Sequence, residues 1–182
     1  MTRTYPDEPV GGFPTPPRNI TDADGRTIRL RHLADQEALV EMYCGFDSSG
    51  RAQGIPPEGE SAIREWLDWI TGPDAVNLVA RHEGATVGHA TLVPDDDEYE
   101  LAIFVLQAYQ SAGIGTELLE TTLGAAAEAG IECVWLSVER WNNHAIALYR
   151  KLGFEPIDNS SFELEMTLRL DADETGQWAA DT

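Results

Sequence analysis

Two periodicities of apolar residues take turns along the middle of the chain, and they predict strands and helices in sequence. Arg26–Arg31 sets Ile28 and Leu30 between polar neighbours, the period of a half-buried strand. From about Asp35 the spacing becomes helical, with Leu39, Met42, Tyr43 and Phe46 on one face. Gly45–Gly59 holds glycines, serines and Pro56-Pro57 and reads as a loop. Ile63, Trp66, Leu67 and Ile70 form a second helical stripe, stopped by Gly72-Pro73. Val76–Arg81 and Thr86–Val93 flank Glu83-Gly84 as a hairpin, and a strand over Tyr99–Val105 follows the acidic turn Pro94–Asp97.

The second half is patterned in the same way. Ile114–Ala129 places Leu118, Leu119, Leu123 and Ala126 on one side of a helix that ends at Gly130. Ile131–Val138 reads as a buried strand. Asn142 or Asn143 can cap the next helix, where Ala145, Leu148, Tyr149 and Leu152 share a face. Gly153 suits the turn that closes this helix, with Phe154 as the hydrophobic contact after it. A short strand near Glu155–Ile157 and a period-2 strand over Phe162–Leu170 complete the order β-α-α-β-β-β-α-β-α-β. This is the order of a single α/β domain around a mixed sheet.

The ends are different. Residues 1–25 carry Pro6, Pro9, Pro14, Pro16 and Pro17 with Gly11 and Gly12, a composition that resists helix and sheet. They are expected to form a Pro/Gly-rich arm, laid over the domain or left loose. Residues 26–170 make the domain, and 171–182 an acidic tail with Trp178 as its one anchor.

Composition narrows the class. A chain of 182 residues with 42% hydrophobic residues fits one domain with a core. No apolar run approaches the ~20 residues of a membrane span, and the N-terminus has no apolar signal region, so a soluble, cytoplasmic chain is expected. Cys44 and Cys133 are far apart, which excludes a disulfide scaffold or a CxxC site. His32, His82, His89 and His144 lack ligand spacing, so no metal is expected. Asp and Glu number 32 against 12 basic residues, a net charge of -20, and nucleic acid is not an expected partner. That charge either attracts cationic amines or adapts the whole surface to high salt. Lys151 is the sole lysine among the basic residues, which favours the halophilic explanation.

Two segments carry candidate chemistry. Gln110-Ser111-Ala112-Gly113-Ile114-Gly115 joins a strand to a helix, whose unpaired N–H groups and partial positive charge suit a phosphate. Gly113 and Gly115 let backbone approach such a group closely. The spacing is not a dinucleotide fingerprint, since Leu118 replaces the third glycine, and no Gly-Lys-Ser/Thr makes it a P-loop. Downstream, Asn142 and Leu148-Tyr149 to Leu152-Gly153-Phe154 belong to the last helix and its ends, where Tyr149 taken alone reads first as a core aromatic with its hydroxyl at the surface.

Taken together, Gln-x-x-Gly-x-Gly followed by Asn-x-x-Ala-x-x-Leu-Tyr-x-x-Leu-Gly-Phe resembles the GNAT superfamily of acetyl-CoA-dependent N-acetyltransferases, over Arg26 to about Leu170. The resemblance implies a mixed, mostly antiparallel sheet flanked by helices, with a V-shaped splay between the strands ending near Val105 and Val138. It implies acetyl-CoA as acetyl donor, with pantetheine along the backbone of Phe104 and Val105. The Gln110 loop, through the N–H groups of Ser111, Ala112, Gly113, Ile114, Gly115 and Thr116, would hold the pyrophosphate. Asn142 would meet the pantetheine arm, and Tyr149 would act as general acid. Glu100 matches a position where many relatives carry a base, with Glu98, His89 or a water chain as alternatives.

The acceptor is the open part. The resemblance places its site in Asp35–Thr71 and Pro156–Phe162, where Phe46, Asp47, Arg51 and Gln53 suit a small amine or a peptide. Asp24–Arg31 resembles the first strand of protein-lysine acetyltransferase domains, so a protein lysine is the leading expectation. A polyamine, amino acid or aminoglycoside is the alternative, as is a catalytically silent acetyl-CoA-binding module. Ser137 stands where relatives acting on ribosomal-protein N-termini carry Glu, which disfavours that role. A second copy of the chain, as a homodimer, completes the expected partners.

Overall fold

The computed structural model describes residues 3–46, 56–157 and 162–172. The strands are β1 (Arg18–Thr21), β2 (Thr27–His32), β3 (Val76–His82), β4 (Ala85–Asp95), β5 (Glu98–Val105), β6 (Cys133–Glu139), β7 (Glu155–Ile157) and β8 (Glu163–Arg169). The helices are α1 (Gln36–Cys44), α2 (Glu60–Ile70), α3 (Ile114–Glu128) and α4 (Asn143–Leu152). One sheet runs β1-β2-β3-β4-β5-β6-β8-β7, antiparallel at every pair except β5 with β6. Strand alternation assigns the faces. Leu78 and Ala80 of β3 pack with Ile114 and Leu118 of α3, while Val79 between them packs with Leu39, Tyr43 and Leu67 of α1 and α2. α4 lies on the α3 side, its Leu152 buried with Leu119 and Phe154.

Local signals stop the helices where the sequence predicts. Asp35 caps α1 by accepting the Glu37 N–H at 3.0 Å, and Asn142 caps α4 by accepting the Ala145 N–H at 3.2 Å. Gly153 closes α4 in the left-handed region at φ 112, and the Phe154 N–H returns to the Tyr149 carbonyl at 3.0 Å.

The parallel pair is the exception that shapes the molecule. β5 and β6 are in register only at Tyr99 with Val134 and Glu100 with Trp135, whereas β5 stays paired with β4 out to Val105. Beyond Glu100 the two strands diverge, as the expected V requires.

The first 25 residues differ from the expectation in one respect. Arg18–Thr21 is β1, an edge strand paired with β2, so the sheet begins at Arg18 rather than Arg26. The prolines end at Pro17, and the four residues after them are free to donate to a ladder. The rest of the arm is laid over the domain. Val10 bridges Leu170, Thr167 Oγ1 donates to the Thr4 carbonyl at 2.8 Å, and Arg169 Nε donates to the Pro6 carbonyl at 2.7 Å. Where the arm crosses α3, the Pro14 carbonyl sits against Gly124 in the space any Cβ would need. Of the two other segments without predicted regular structure, 47–55 of the loop and 173–182 of the tail, with Asp47, Arg51, Gln53 and Trp178, lie outside the described residues.

A buried polar chain ties α1 and α2 to the sheet. Asn77 Nδ2 donates to the Ile70 carbonyl at 3.1 Å, so its Oδ1 accepts from His89 Nε2 at 2.7 Å. His89 Nδ1 is thereby the acceptor for the Tyr43 hydroxyl at 2.6 Å. Burial lowers the His89 pKa to about 3, and the ring is neutral. His89 is thus a packed histidine and not a candidate base.

This chain makes stability pH-dependent. Its contribution is full above the ordinary histidine value of 6.5 and is lost as pH falls toward about 3, because the unfolded state binds the proton first. Urea unfolding from about pH 8 to about pH 4 should show wild type losing stability more steeply below 6.5 than His89→Gln. Parallel curves would remove His89 from the acid response. Tyr43→Phe, which strands His89 Nδ1 without a donor, should cost ~1–3 kcal/mol at neutral pH.

Candidate active site

β5 separates two cavities by its alternation. Ile103 and Val105 face one of about 280 Å³, which the Ser111–Thr116 turn, His144, Leu148 and Tyr149 enclose. Glu100, Ala102 and Phe104 face the other, of about 230 Å³, walled by Trp66, Trp69, Thr91 and Asp95. The two cavities lie on opposite sides of the stretch where β5 has left β6.

The first cavity is built around the start of α3. Ser111 and Gly113 take φ of 60 and 88, which turns the chain back on itself. No side chain caps α3, so the N–H groups of its first turn have no partner within the helix. Gly113 has open space where a Cβ would point, so its glycine answers to backbone conformation and not to crowding.

The expected contact residues divide by orientation. Val105, Gln110, Ser111, Gly113, Gly115 and Thr116 line the cavity. Ala112 and Ile114 turn their side chains into the core, leaving their backbone at the turn. Gln110 uses its side-chain amide to hold the Val105 carbonyl at 3.0 Å, tethering the turn to the end of β5. The Phe104 ring packs edge-on against Tyr43 and Trp66 on the other side of the sheet, so only its backbone borders the splay. Asn142 spends its side-chain carbonyl on the α4 cap and does not line the cavity.

Tyr149 is both packed and available. Its ring meets Phe154 edge-on at 5.9 Å, yet its hydroxyl makes no hydrogen bond to the described residues. Burial raises its pKa, so the phenol stays protonated at neutral pH.

Across the sheet two carboxylates line the second cavity: Asp95, which pairs with Arg3 at 3.4 Å, and Glu100. Partial enclosure raises the Glu100 pKa; the Asp95 charge adds to this and the Arg3 guanidinium opposes it. Glu98 shares its face of β5 but is already engaged, taking a hydrogen bond from Tyr5 Oη at 2.6 Å and an ion pair from Arg3 at 3.1 Å. Arg3 also pairs with Asp95 and Glu165 and lies 3.4 Å over the Trp135 ring. The arm therefore engages Glu98 and leaves Glu100 facing the cavity.

Sequence reasoning missed several neighbours. His144 and Leu148 line the first cavity beside Tyr149. Trp69, 70% exposed and off the buried stripe of α2, was findable as an aromatic on a polar face. Nothing in the sequence placed Arg3 or Tyr5 beside β5. Among the described residues no group of three or more His, Cys, Asp or Glu is arranged to hold a metal, and no helix is long and apolar enough to cross a membrane.

Known proteins resemble this chain in sequence and in fold. An uncharacterised N-acetyltransferase of Mycobacterium tuberculosis is 35% identical over 101 residues, 54% of this chain and 65% of that protein. A mycothiol acetyltransferase of Catenulispora acidiphila is 32% identical over 166 residues, 85% of this chain and 49% of that protein. The chain thus spans under two thirds of the length of these curated relatives. The crystal structure of the GNAT domain of S. lividans PAT superposes with a TM-score of 0.73 at 22% identity, covering 85% of this chain and 97% of that one. The sequence pattern of the acetyltransferase (GNAT) family matches residues 37–154, from α1 through the end of α4, and the chain belongs to that family.

Proposed function

We propose that the protein moves an acetyl group from acetyl-CoA to a primary amine by direct attack in a ternary complex, with a protein lysine side chain as the leading acceptor. The observation that carries this is the pair of cavities on the two faces of β5, with a phenol lining one and a carboxylate the other. The N–H groups of Ser111 to Thr116 hold the pyrophosphate, and the backbone of Phe104 and Val105 pairs with pantetheine where β6 has withdrawn. Asn142 orders the start of α4 beside that path.

Glu100 takes a proton from the incoming ammonium, whose pKa of ~10.4 keeps it charged at neutral pH. The freed amine attacks the thioester carbonyl, and a backbone N–H near Val105 stabilises the oxyanion. The carbon–sulfur bond then breaks, Tyr149 gives its proton to the departing thiolate, and the nitrogen's surplus proton passes to solvent, which reprotonates the phenolate. Aromatic walls and an acidic rim suit an amine carried on a narrow aliphatic chain, as in lysine or a polyamine. The mycothiol acetyltransferase relative supports a small-molecule amine as the second reading.

Free-thiol release from acetyl-CoA should appear with lysine peptides or polyamines in the reaction and not without them. Tyr149→Phe should keep acetyl-CoA binding and lose ~10²-fold or more in kcat, the scale of a lost general acid. Equal turnover would return Tyr149 to a packing role, and silence toward every amine would leave a binding module.

Gly113→Val forces a β-branched residue to φ near 88 and should weaken acetyl-CoA binding by about tenfold or more, at some cost in melting temperature but without unfolding the domain. Calorimetric titration checks it; unchanged affinity would overturn the turn's assignment.

Glu100→Gln should depress kcat/KM most toward the acid side and recover as pH approaches the amine's ~10.4, where solvent supplies free amine. The wild-type acid limb should sit above the ordinary carboxylate value of 4.5, since the Glu100 pKa is raised. A mutant profile parallel to wild type would reassign the base.

A further inference from the structure

We propose that the pocket between β2 and β3 is a binding site for a phosphate monoester, separate from the turn at Ser111–Thr116. The pocket has a volume of about 470 Å³, and Thr27, Arg29, Arg31, Arg81, Glu83 and Gly84 line it. Arg29 and Arg31 alternate with Ile28 and Leu30, which face α3, so the arginines open on the opposite face of the sheet. No residue is shared with the cavity beside Tyr149.

Three observations point to an anion. The chain has only 12 basic residues against 32 acidic ones, and three of the twelve converge here. Arg3, Arg18, Arg26 and Arg64 each pair with a carboxylate, whereas Arg29, Arg31 and Arg81 make no ion pair with the described residues. Arg29 and Arg81 are direct cross-strand partners, an arrangement of like charges that costs stability unless an anion lies between them.

The site is partly built before any ligand arrives. Arg31 Nη1 donates to the Arg18 carbonyl at 2.7 Å and its Nη2 to Asn19 Oδ1 at 2.7 Å. Arg81 Nη2 donates to the Gly84 carbonyl at 2.5 Å. Both heads are oriented with donors to spare, because a guanidinium carries five N–H groups. Three guanidinium charges less the Glu83 carboxylate leave a charge of two, which matches a phosphate monoester and exceeds a monocarboxylate. The volume leaves room for an organic body beyond the phosphate.

Calorimetric titration at low salt with glucose 6-phosphate, inorganic phosphate, acetate and glucose tests the site. Wild type should bind both phosphates, and neither acetate nor glucose. Arg29→Gln, an exposed change, should weaken phosphate binding by about tenfold or more, and Arg29→Gln with Arg81→Gln should abolish it. Any phosphate bound at the turn near Gly113 would persist in both variants and mark a second, unaffected site. Affinity in wild type should fall as salt rises. No binding of either phosphate, equal affinity in wild type and Arg29→Gln, or equal binding of acetate would overturn the proposal.

Discussion

The constraint on which the two cavities of this fold depend is the place where β5 and β6 stop pairing. Two parallel strands held side by side at Tyr99 and Glu100 part immediately afterwards, while β4 keeps β5 in register as far as Val105. A strand edge given up by its neighbour presents N–H and C=O groups that need a partner. In the proposed reaction an amide-containing chain supplies one, so the gap in the sheet both binds the donor and aims its reactive carbonyl. The cavities on the two faces follow from the same event, since residues before and after the divergence alternate sides along one strand.

Electrostatic choices around that gap are made by elements far apart in the chain. Four groups with proton-transfer chemistry stand on one face of β4 and β5: His89, Asp95, Glu98 and Glu100. His89 is kept neutral by burial between Tyr43 and Asn77, Glu98 is engaged by Arg3 and Tyr5 of the arm, and Asp95 is paired with Arg3. Glu100 is left, half enclosed and with a raised pKa, at the cavity mouth. On the other face Gln110 is tied to the Val105 carbonyl, and the Tyr149 hydroxyl makes no hydrogen bond to the described residues. Occupying the competitors leaves Glu100 as the carboxylate on the face it shares with Glu98 that has no hydrogen bond or ion pair to the described residues.

Much of this was legible before any coordinates. Strand and helix periods placed β2 to β6, β8 and the helices within a few residues, because each element buries one face and its sequence records which. Asp35, Asn142 and Gly153 marked helix ends through local chemistry that needs no tertiary context. The glycine-bearing turn and the Tyr149 helix were recognisable for the same reason, as short-range geometry written in consecutive residues. β1 escaped notice because the prolines before it dominate the composition of its segment, and its ladder with β2 is a tertiary fact.

What the sequence determined, then, was the set of elements, their buried faces and the two motifs, all of which rest on spacings of a few residues. Only the tertiary structure decided which carboxylate is available. Glu98 and Glu100 are two residues apart on one face of one strand and are equivalent by periodicity. They are told apart by Arg3 and Tyr5, more than ninety residues away, which reach Glu98 because the arm packs along β8. Whether His89 was a base or a packed ring likewise turned on Tyr43 and Asn77 arriving from α1 and β3. Protonation is set by burial and by neighbouring charge, and both are properties of the assembled fold.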